Sequence, residues 1–320
     1  MLLNRTIHNS TTWYYTLHMA KPIINSPAGQ KSHTHIISAP YDVTASFHKG
    51  TAFGPKKVIE CLDTQIEYLD RRYKVDSTEI LSVSHSEIPG LPNMHPETAF
   101  QSVIAECDKS QGELTILLGG EHSMSFGHLT SLAKRHKPKD VTIVQIDAHC
   151  DLRDDDSDYN DEDPTKFAHS AVMRRAHEMG YNLVQVGIRA YSKDEYQYFT
   201  KNKKTISVFE WGLAPVPAIS KIISAIKTKK VYISLDVDGI DPAYMPGTGT
   251  PVQGGLEWYY ALNLITSVIE KRQLVGADVV EVSPIEGNVL TEYGAAQIVQ
   301  NIINTFHADK LLPKKKKSKK

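Results

Sequence analysis

The sequence predicts a three-layer α/β/α fold around a central, mostly parallel eight-stranded sheet, and three observations carry that expectation. Eight short β-branched or apolar runs recur along the chain, longer amphipathic segments separate them, and several runs are apolar at every position. A strand apolar on both faces is one covered by helices on each side, and strands joined through helices pair in parallel by right-handed crossovers.

In chain order the strand candidates are "HIIS" (35–38), "EILSVS" (79–84), "ELTILL" (113–118), "VTIVQI" (141–146), "LVQVGI" (183–188), "TISVF" (205–209), "VYISLDV" (231–237) and "VGADVVEV" (275–282). Helical faces lie among them. Val58, Ile59, Leu62, Ile66 and Leu69 recur at spacings of three and four, as do Ala295, Ile298, Val299, Ile302, Ile303 and Phe306. No linker, repeat or low-complexity stretch divides the middle of the chain, so residues 31–308 read as one domain. Residues 1–30 read as a loosely ordered extension, with Met19 as well as Met1 open as the natural start, and residues 309–320 as a lysine-rich tail.

Composition narrows the class. With 41% hydrophobic and 23% charged residues and a net charge of -1, the 320-residue chain has the balance of a soluble globular protein. No apolar stretch approaches the roughly 20 residues that span a bilayer. The start, "MLLNRTIHNSTTWYYTLHMAKP", lacks the apolar core and small-residue cleavage site of an export signal. The expectation is therefore a cytoplasmic protein with no membrane contact. Cys61, Cys107 and Cys150 are too few and too scattered for a disulfide framework or a CxxC zinc site, so they read as reduced thiols. The terminal "PKKKKSKK" has neither a basic domain nor a stacking aromatic platform beside it, so it reads as a solvated tail and no nucleic-acid partner is expected.

In parallel sheets, functional groups gather beyond the carboxyl ends of the strands. Four strand candidates end in acids or histidines: "GGEHS" after 118, "DAHCD" after 146, "DVDGIDP" after 235 and "EVSPIEG" after 280. Period-two geometry places Asp147, His149 and Asp151 on one side of an extended segment, and likewise pairs Asp236 with Asp238. Such groups at the end of a buried strand cost desolvation unless something pairs them. With His122 they make four carboxylates and two imidazoles, a donor set suited to Mn²⁺, with Fe, Co, Ni or Zn also open. Six ligands exceed the needs of one ion and fit a pair of divalent ions that lower the pKa of water between them. "DGIDP" alone reads as ordinary turn chemistry. Ser123 and Ser283 lack a nucleophile-elbow context and Cys150 falls on the other side from the ligands, so covalent catalysis is not expected.

These motifs, with "SFHKGTAFGP" (46–55), "FAHSAVMRR" (167–175) and "SLDVDGIDPAYMPGTGTP" (234–251), resemble the ureohydrolases, the arginase and agmatinase superfamily, and within it look closest to the agmatinases. The resemblance covers nearly all of residues 35–307 and implies an arginase-like fold. It implies a cofactor of two Mn²⁺ per subunit, one held by His122, Asp147, Asp151 and Asp236, the other by Asp147, His149, Asp236 and Asp238. In the family a bridging hydroxide attacks the guanidinium carbon, and urea leaves with a free amine. Glu281 matches the acid that grips the guanidinium, and His169 the histidine that shuttles protons near the leaving amine. A homo-oligomer, trimer or hexamer, is implied in the same way.

Substrate choice follows from a departure. Arginases carry Asn where Arg153 stands and a serine-rich loop ahead of the histidine, whereas here eight acids lie between 151 and 163. That departs from arginase. The agmatinase branch implies agmatine as substrate, with putrescine and urea as products, and an acidic loop favours a cation. Arg153, read as substrate-binding, suits a carboxylate such as that of 4-guanidinobutyrate, which stays open beside aminopropylagmatine. A catalytically silent binding or regulatory homologue is the alternative of another class, disfavoured because none of the six ligands is missing. His48, at the pocket mouth of the resembled pattern, is left outside the site.

Overall fold

The computed structural model describes residues 21–213 and 215–312. Its strands are β1 (Ile24–Ser26), β2 (Ser32–Ala39), β3 (Leu69–Asp70), β4 (Val75–Asp76), β5 (Val83–Glu87), β6 (Gly112–Gly119), β7 (Val141–Ile146), β8 (Asn182–Ile188), β9 (Ile206–Glu210), β10 (Lys230–Asp236) and β11 (Gln273–Val280). Its helices are α1 (Gly54–Thr64), α2 (Pro96–Lys109), α3 (Ser125–Ala133), α4 (Val172–Glu178), α5 (Lys193–Lys201), α6 (Ile219–Ala225), α7 (Trp258–Lys271), α8 (Leu290–Phe306) and α9 (Ala308–Leu311). β3 and β4 form a separate antiparallel hairpin. The other strands build one sheet in the order β1-β5-β2-β6-β11-β10-β7-β8-β9. Every pairing in that sheet is parallel.

The sheet therefore has nine strands where the sequence predicted eight. The extra one, β1, is three residues long and contains one apolar residue, so it has no pattern to detect. Tertiary contacts hold it instead: Ile23 is fully buried, and the Asn25 side chain donates to Leu81 O and accepts from Val83 N. The sheet thus begins inside the stretch expected to be an extension. The remainder of that extension up to residue 20, with Met19, and the lysine-rich tail from residue 313 lie outside the described residues.

Two further boundaries moved. In "EILSVS" the strand starts only at Val83, because Asp76 accepts from Thr78 N and caps a 3-10 turn over Ser77–Glu79. The helical spacing through Leu69 outruns α1, which stops at Thr64. Ile66 stays buried, but Leu69 is 55% exposed in the hairpin.

Alternation along each strand feeds two cores. Ile116, Val144 and Ile233 pack with Val58 and Leu62 of α1, Leu264 and Val268 of α7, and Ile298 and Ile302 of α8. On the opposite face Ile143, Leu183 and Tyr232 meet Leu129 and Leu132 of α3 and Val172 and Met173 of α4. Ile37 and Leu117 meet Phe100 and Val103 of α2. Burial on both faces explains the unbroken apolar runs and makes the three-layer architecture.

Topology does one thing for function. The strands that end in acids or histidines, β6, β11, β10 and β7, are consecutive in the sheet, so their carboxyl ends share one rim. The loops can touch there only because one residue lacks a side chain. A Cβ on Gly239 would lie 2.4 Å from Asp147 N and 2.7 Å from its Cα. This glycine answers to close approach between two ligand loops and not to turn conformation. Gly239→Ala should cost about 1–3 kcal/mol by overpacking, read as a lowered chemical-denaturation midpoint.

Candidate active site

His122 opens a 3-10 turn (His122–Met124) after β6, and its imidazole is fully buried. Its Nδ1 lies 3.2 Å from Asp147 Oδ2, 2.9 Å from Asp151 Oδ2 and 3.4 Å from Asp236 Oδ2. His149 Nδ1 lies 3.0 Å from Asp238 Oδ2 and 3.7 Å from Asp147 Oδ1. Two groups of donor atoms, each within 4.8 Å of one another, result: His122, Asp147 and Asp151, and Asp147, His149 and Asp238. Asp147 belongs to both. Asp236 falls in neither group at that spacing, but its Oδ2 faces His122 and its Oδ1 accepts from Asp238 N at 2.9 Å. All six residues expected from the sequence thus converge, with His149 separated from Asp151 instead of sharing its side.

The reason is a left-handed turn. Regular strand ends at Ile146, and Asp151 has φ 54, a conformation that L-residues other than glycine adopt rarely. The Asp151 carbonyl accepts from both Met173 N and Arg174 N at 3.0 Å, so the first turn of α4 holds the strained residue in place. Glu281 repeats the arrangement after β11, with φ 63 and its N–H donating to Gly120 O at 2.7 Å. Strain of this kind persists where surrounding structure over-determines it, and it concentrates at functional sites.

Electrostatics leave the cluster short of positive charge. Burial and then the Asp147 charge push the Asp151 carboxyl up to about 6. Burial followed by Asp238 and Asp147 pushes Asp236 well above the carboxylate range, and burial also raises Asp238. Burial acts upward on Asp147 too, but hydrogen bonds from His122 and His149 outweigh it and hold that group low. Like-charged buried carboxylates resist joint ionisation unless cations join them. His122 Nδ1 is buried among three carboxylates without a well-directed hydrogen bond. The donors are imidazole nitrogen and carboxylate oxygen with no thiolate, which suits divalent ions of intermediate hardness. Cys150 is instead packed into the apolar core beside α4, where burial raises its thiol well above the usual range.

Above the cluster, Glu281 Oε1 accepts from His122 N at 2.8 Å and lies 3.3 Å from His169 Nδ1. His169 Nε2 accepts from Ser46 N at 3.2 Å. Residues that carry no motif in the sequence hold this histidine: His169 N donates to Thr44 Oγ1 at 3.1 Å, and Thr44 is bound through its N–H and hydroxyl to the buried Glu121. The only signal for Glu121 was its place beside His122.

A cavity of about 380 Å³ opens over these groups, lined by His149, Asp151, His169 and Asp236 and farther out by Arg153, Tyr159, Ser192 and Glu195. Arg153 does reach the wall, but its guanidinium is paired with Asp158 of the acidic loop. Tyr159, Ser192 and Glu195 carried no motif. Tyr159 arrives because its hydroxyl bonds Ser170 Oγ at 2.8 Å, and Glu195 because it completes a capping box at the start of α5. His48, left outside the site, is exposed and absent from the lining.

The Arginase family model matches residues 32–304, most of the chain. The chain belongs to the arginase family. It is 33% identical over 279 residues to the N(1)-aminopropylagmatine ureohydrolase of Synechocystis sp., covering 84% of this chain and 87% of that protein. It is 30% identical over 296 residues to the agmatinase of Bacillus subtilis, covering 89% and 95%. The agmatine ureohydrolase of Thermoplasma volcanium superposes with a TM-score of 0.74 at 28% identity, covering 91% of this chain and 96% of that one.

Within this arginase-family site, His169 has an unusual proton affinity. Burial pulls the imidazole down, but the hydrogen bond and charge of Glu281, with Glu121 and Asp151, outweigh it and lift it to about 9. A ring that takes the second proton must release Ser46 N–H, so a neutral Nδ1–H ring and a turned imidazolium are its two states. Because the folded value exceeds the unfolded value of about 6.5, the stabilisation is complete below that pH and is lost as pH rises toward 9. In the metal-free chain, NMR titration should show His169 losing its proton near 9 and, in Glu281→Gln, substantially lower; equal midpoints would refute the coupling.

Proposed function

We propose that this arginase-family chain is a manganese-dependent ureohydrolase that cleaves a cationic guanidino compound, agmatine first, to urea and an amine. The observation that carries the reading is the pair of histidine and aspartate groups sharing Asp147 at the floor of the cavity. In this reading one ion takes His122, Asp147, Asp151 and Asp236, and the other Asp147, His149, Asp236 and Asp238. When bound, such ions lower the pKa of water and supply a nucleophile at neutral pH.

The chain's own groups orient the rest. One oxygen of Glu281 is committed to His122 N and His169, which leaves the other for a guanidinium, a planar cation suited to a charge-assisted pair with carboxylate. A guanidinium arriving at Glu281 competes with His169 Nδ1–H. The displaced imidazole proton is then available to the leaving amine, the general-acid role an imidazole fills best near neutral pH. Ser46 N–H keeps the ring from turning out of the cavity in the meantime.

Charge in the outer cavity supports a cationic tail on the substrate. Arg153 is matched by Asp158 and has no unpaired charge to offer a carboxylate. Glu195 is 4% exposed, its oxygens accept from Leu152 N at 3.0 Å and Ser192 N at 2.7 Å, and no lysine or arginine among the described residues pairs with it. Net negative potential is left for an amine. Agmatine and aminopropylagmatine fit that surface better than 4-guanidinobutyrate or arginine, both of which bring a carboxylate.

After Mn²⁺ loading, kcat/KM for urea release should favour agmatine or aminopropylagmatine over 4-guanidinobutyrate and arginine by roughly tenfold or more; preference for either carboxylate substrate would overturn the tail assignment. Asp147→Ala should reduce urea release to background with the fold retained by circular dichroism. Undiminished release in that variant would sink the metal reading altogether, and a wild-type chain that binds Mn²⁺ yet releases no urea would favour a silent homologue.

A further inference from the structure

Beneath the ligand rim lies a second row of polar side chains that the chemistry above does not use. Asp278 of β11 pairs in register with Ser234 of β10, Ser234 with Gln145 of β7, and Gln145 with Gln185 of β8. All four are 0% exposed, inside strands otherwise built from apolar residues. Ser234 and Gln145 stand two residues before Asp236 and Asp147, so the pleat puts each on the same side of its strand as the ligand it precedes.

The row has a definite hydrogen-bond polarity. The Ser234 hydroxyl donates to Asp278 Oδ1 at 2.8 Å, and the Tyr232 hydroxyl donates to Asp278 Oδ2 at 2.7 Å. With its one proton spent on Asp278, Ser234 Oγ can only accept from His122 Nε2, 2.8 Å away. The proton of the neutral imidazole therefore sits on Nε2, and the Nδ1 lone pair faces Asp147, Asp151 and Asp236. On the other side Gln185 Nε2 donates to Gln145 Oε1 and to Cys150 O at 2.7 Å, which turns the Gln145 amide so that its Nε2 donates to Asp147 Oδ2 at 2.6 Å. One end of the row selects the tautomer of a ligand histidine and the other aims the carboxylate that both groups share.

We propose that Asp278, Ser234, Gln145 and Gln185 are positioning residues that preset His122 and Asp147 for divalent-ion binding before any ion arrives. The inference rests on the metal reading of the site and goes beyond it. Burying four uncharged or acidic polar groups in a sheet centre has a cost, which full mutual satisfaction keeps acceptable. A partner that orients a ligand typically changes metal affinity by about 10–100-fold.

The test uses the full chain, stripped of metal. Histidine ¹⁵N NMR should show His122 protonated at Nε2 in the wild type, and protonation at Nδ1 would overturn the proposal whatever the variants do. Equilibrium dialysis against Mn²⁺ should show binding weakened about 10–100-fold in Ser234→Ala and in Gln145→Leu, with Ser234→Thr restoring it. Thr142→Ala provides the control, since Thr142 is buried in the same strand as Gln145 but bonds Thr228, away from the site. It should lower the thermal midpoint without moving Mn²⁺ affinity. Wild-type affinity in both Ser234→Ala and Gln145→Leu refutes the row while leaving the function standing. A wild-type chain that takes up no Mn²⁺ refutes the function reading instead.

Discussion

Four aspartates and a glutamate, Asp147, Asp151, Asp236, Asp238 and Glu281, are almost fully buried at one rim of the sheet, and their mutual repulsion is the constraint on which the rest of the structure depends. Only His122, His149 and His169 offer positive charge against them. Burial raises Asp151, Asp236 and Asp238 together, so in the metal-free chain they compete for the same protons. Cations relieve that competition more completely than protons do, because each brings two charges and accepts several oxygens at once. A fold that keeps such a cluster buried is one organised for an ion.

Keeping it there takes rigid surroundings. Two of the residues at the rim, Asp151 and Glu281, have left-handed backbone, each pinned by hydrogen bonds from or to a neighbouring element. Arg189, at the end of β8, donates to Asp238 O and Val252 O at 2.6 Å and to Gly187 O at 3.0 Å, tying the loop after β10 to its neighbour strand. Polar side chains inside β7, β8, β10 and β11 serve the same end from below. The helices α1, α7 and α8 on one face and α2, α3 and α4 on the other supply the apolar burial that offsets this polar layer.

Legibility followed the strength of the local signal. The six ligand positions, His169 and Glu281 were readable because each sits in a short motif that stands out from its neighbours, most of them directly after a strongly apolar strand, where a buried acid or imidazole is costly unless it binds something. β1 was not readable, since three residues with one apolar member have no periodicity and depend on β5 for their conformation. Glu195 and Tyr159 were hidden for a related reason: a capping glutamate and a loop tyrosine look ordinary until the fold brings them to one cavity. Arg153 was visible but ambiguous, and its partner Asp158 is what decides the charge it presents.

By itself the sequence determined the three-layer class, the set of ligand residues and the departure from the arginase pattern, because strand burial, residue chemistry and motif spacing are written locally. Only the tertiary structure decided which ligands face one another, since sheet order makes neighbours of β6, β11, β10 and β7, strands that lie as many as 161 residues apart from Gly112 to Gln273. It also decided that Asp147 is shared, that the backbone turns left-handed at Asp151, and that a row of amide, hydroxyl and carboxyl groups aligns beneath the rim. Register between parallel strands depends on crossovers and packing from the whole domain, and no stretch of ten or twenty residues contains that information.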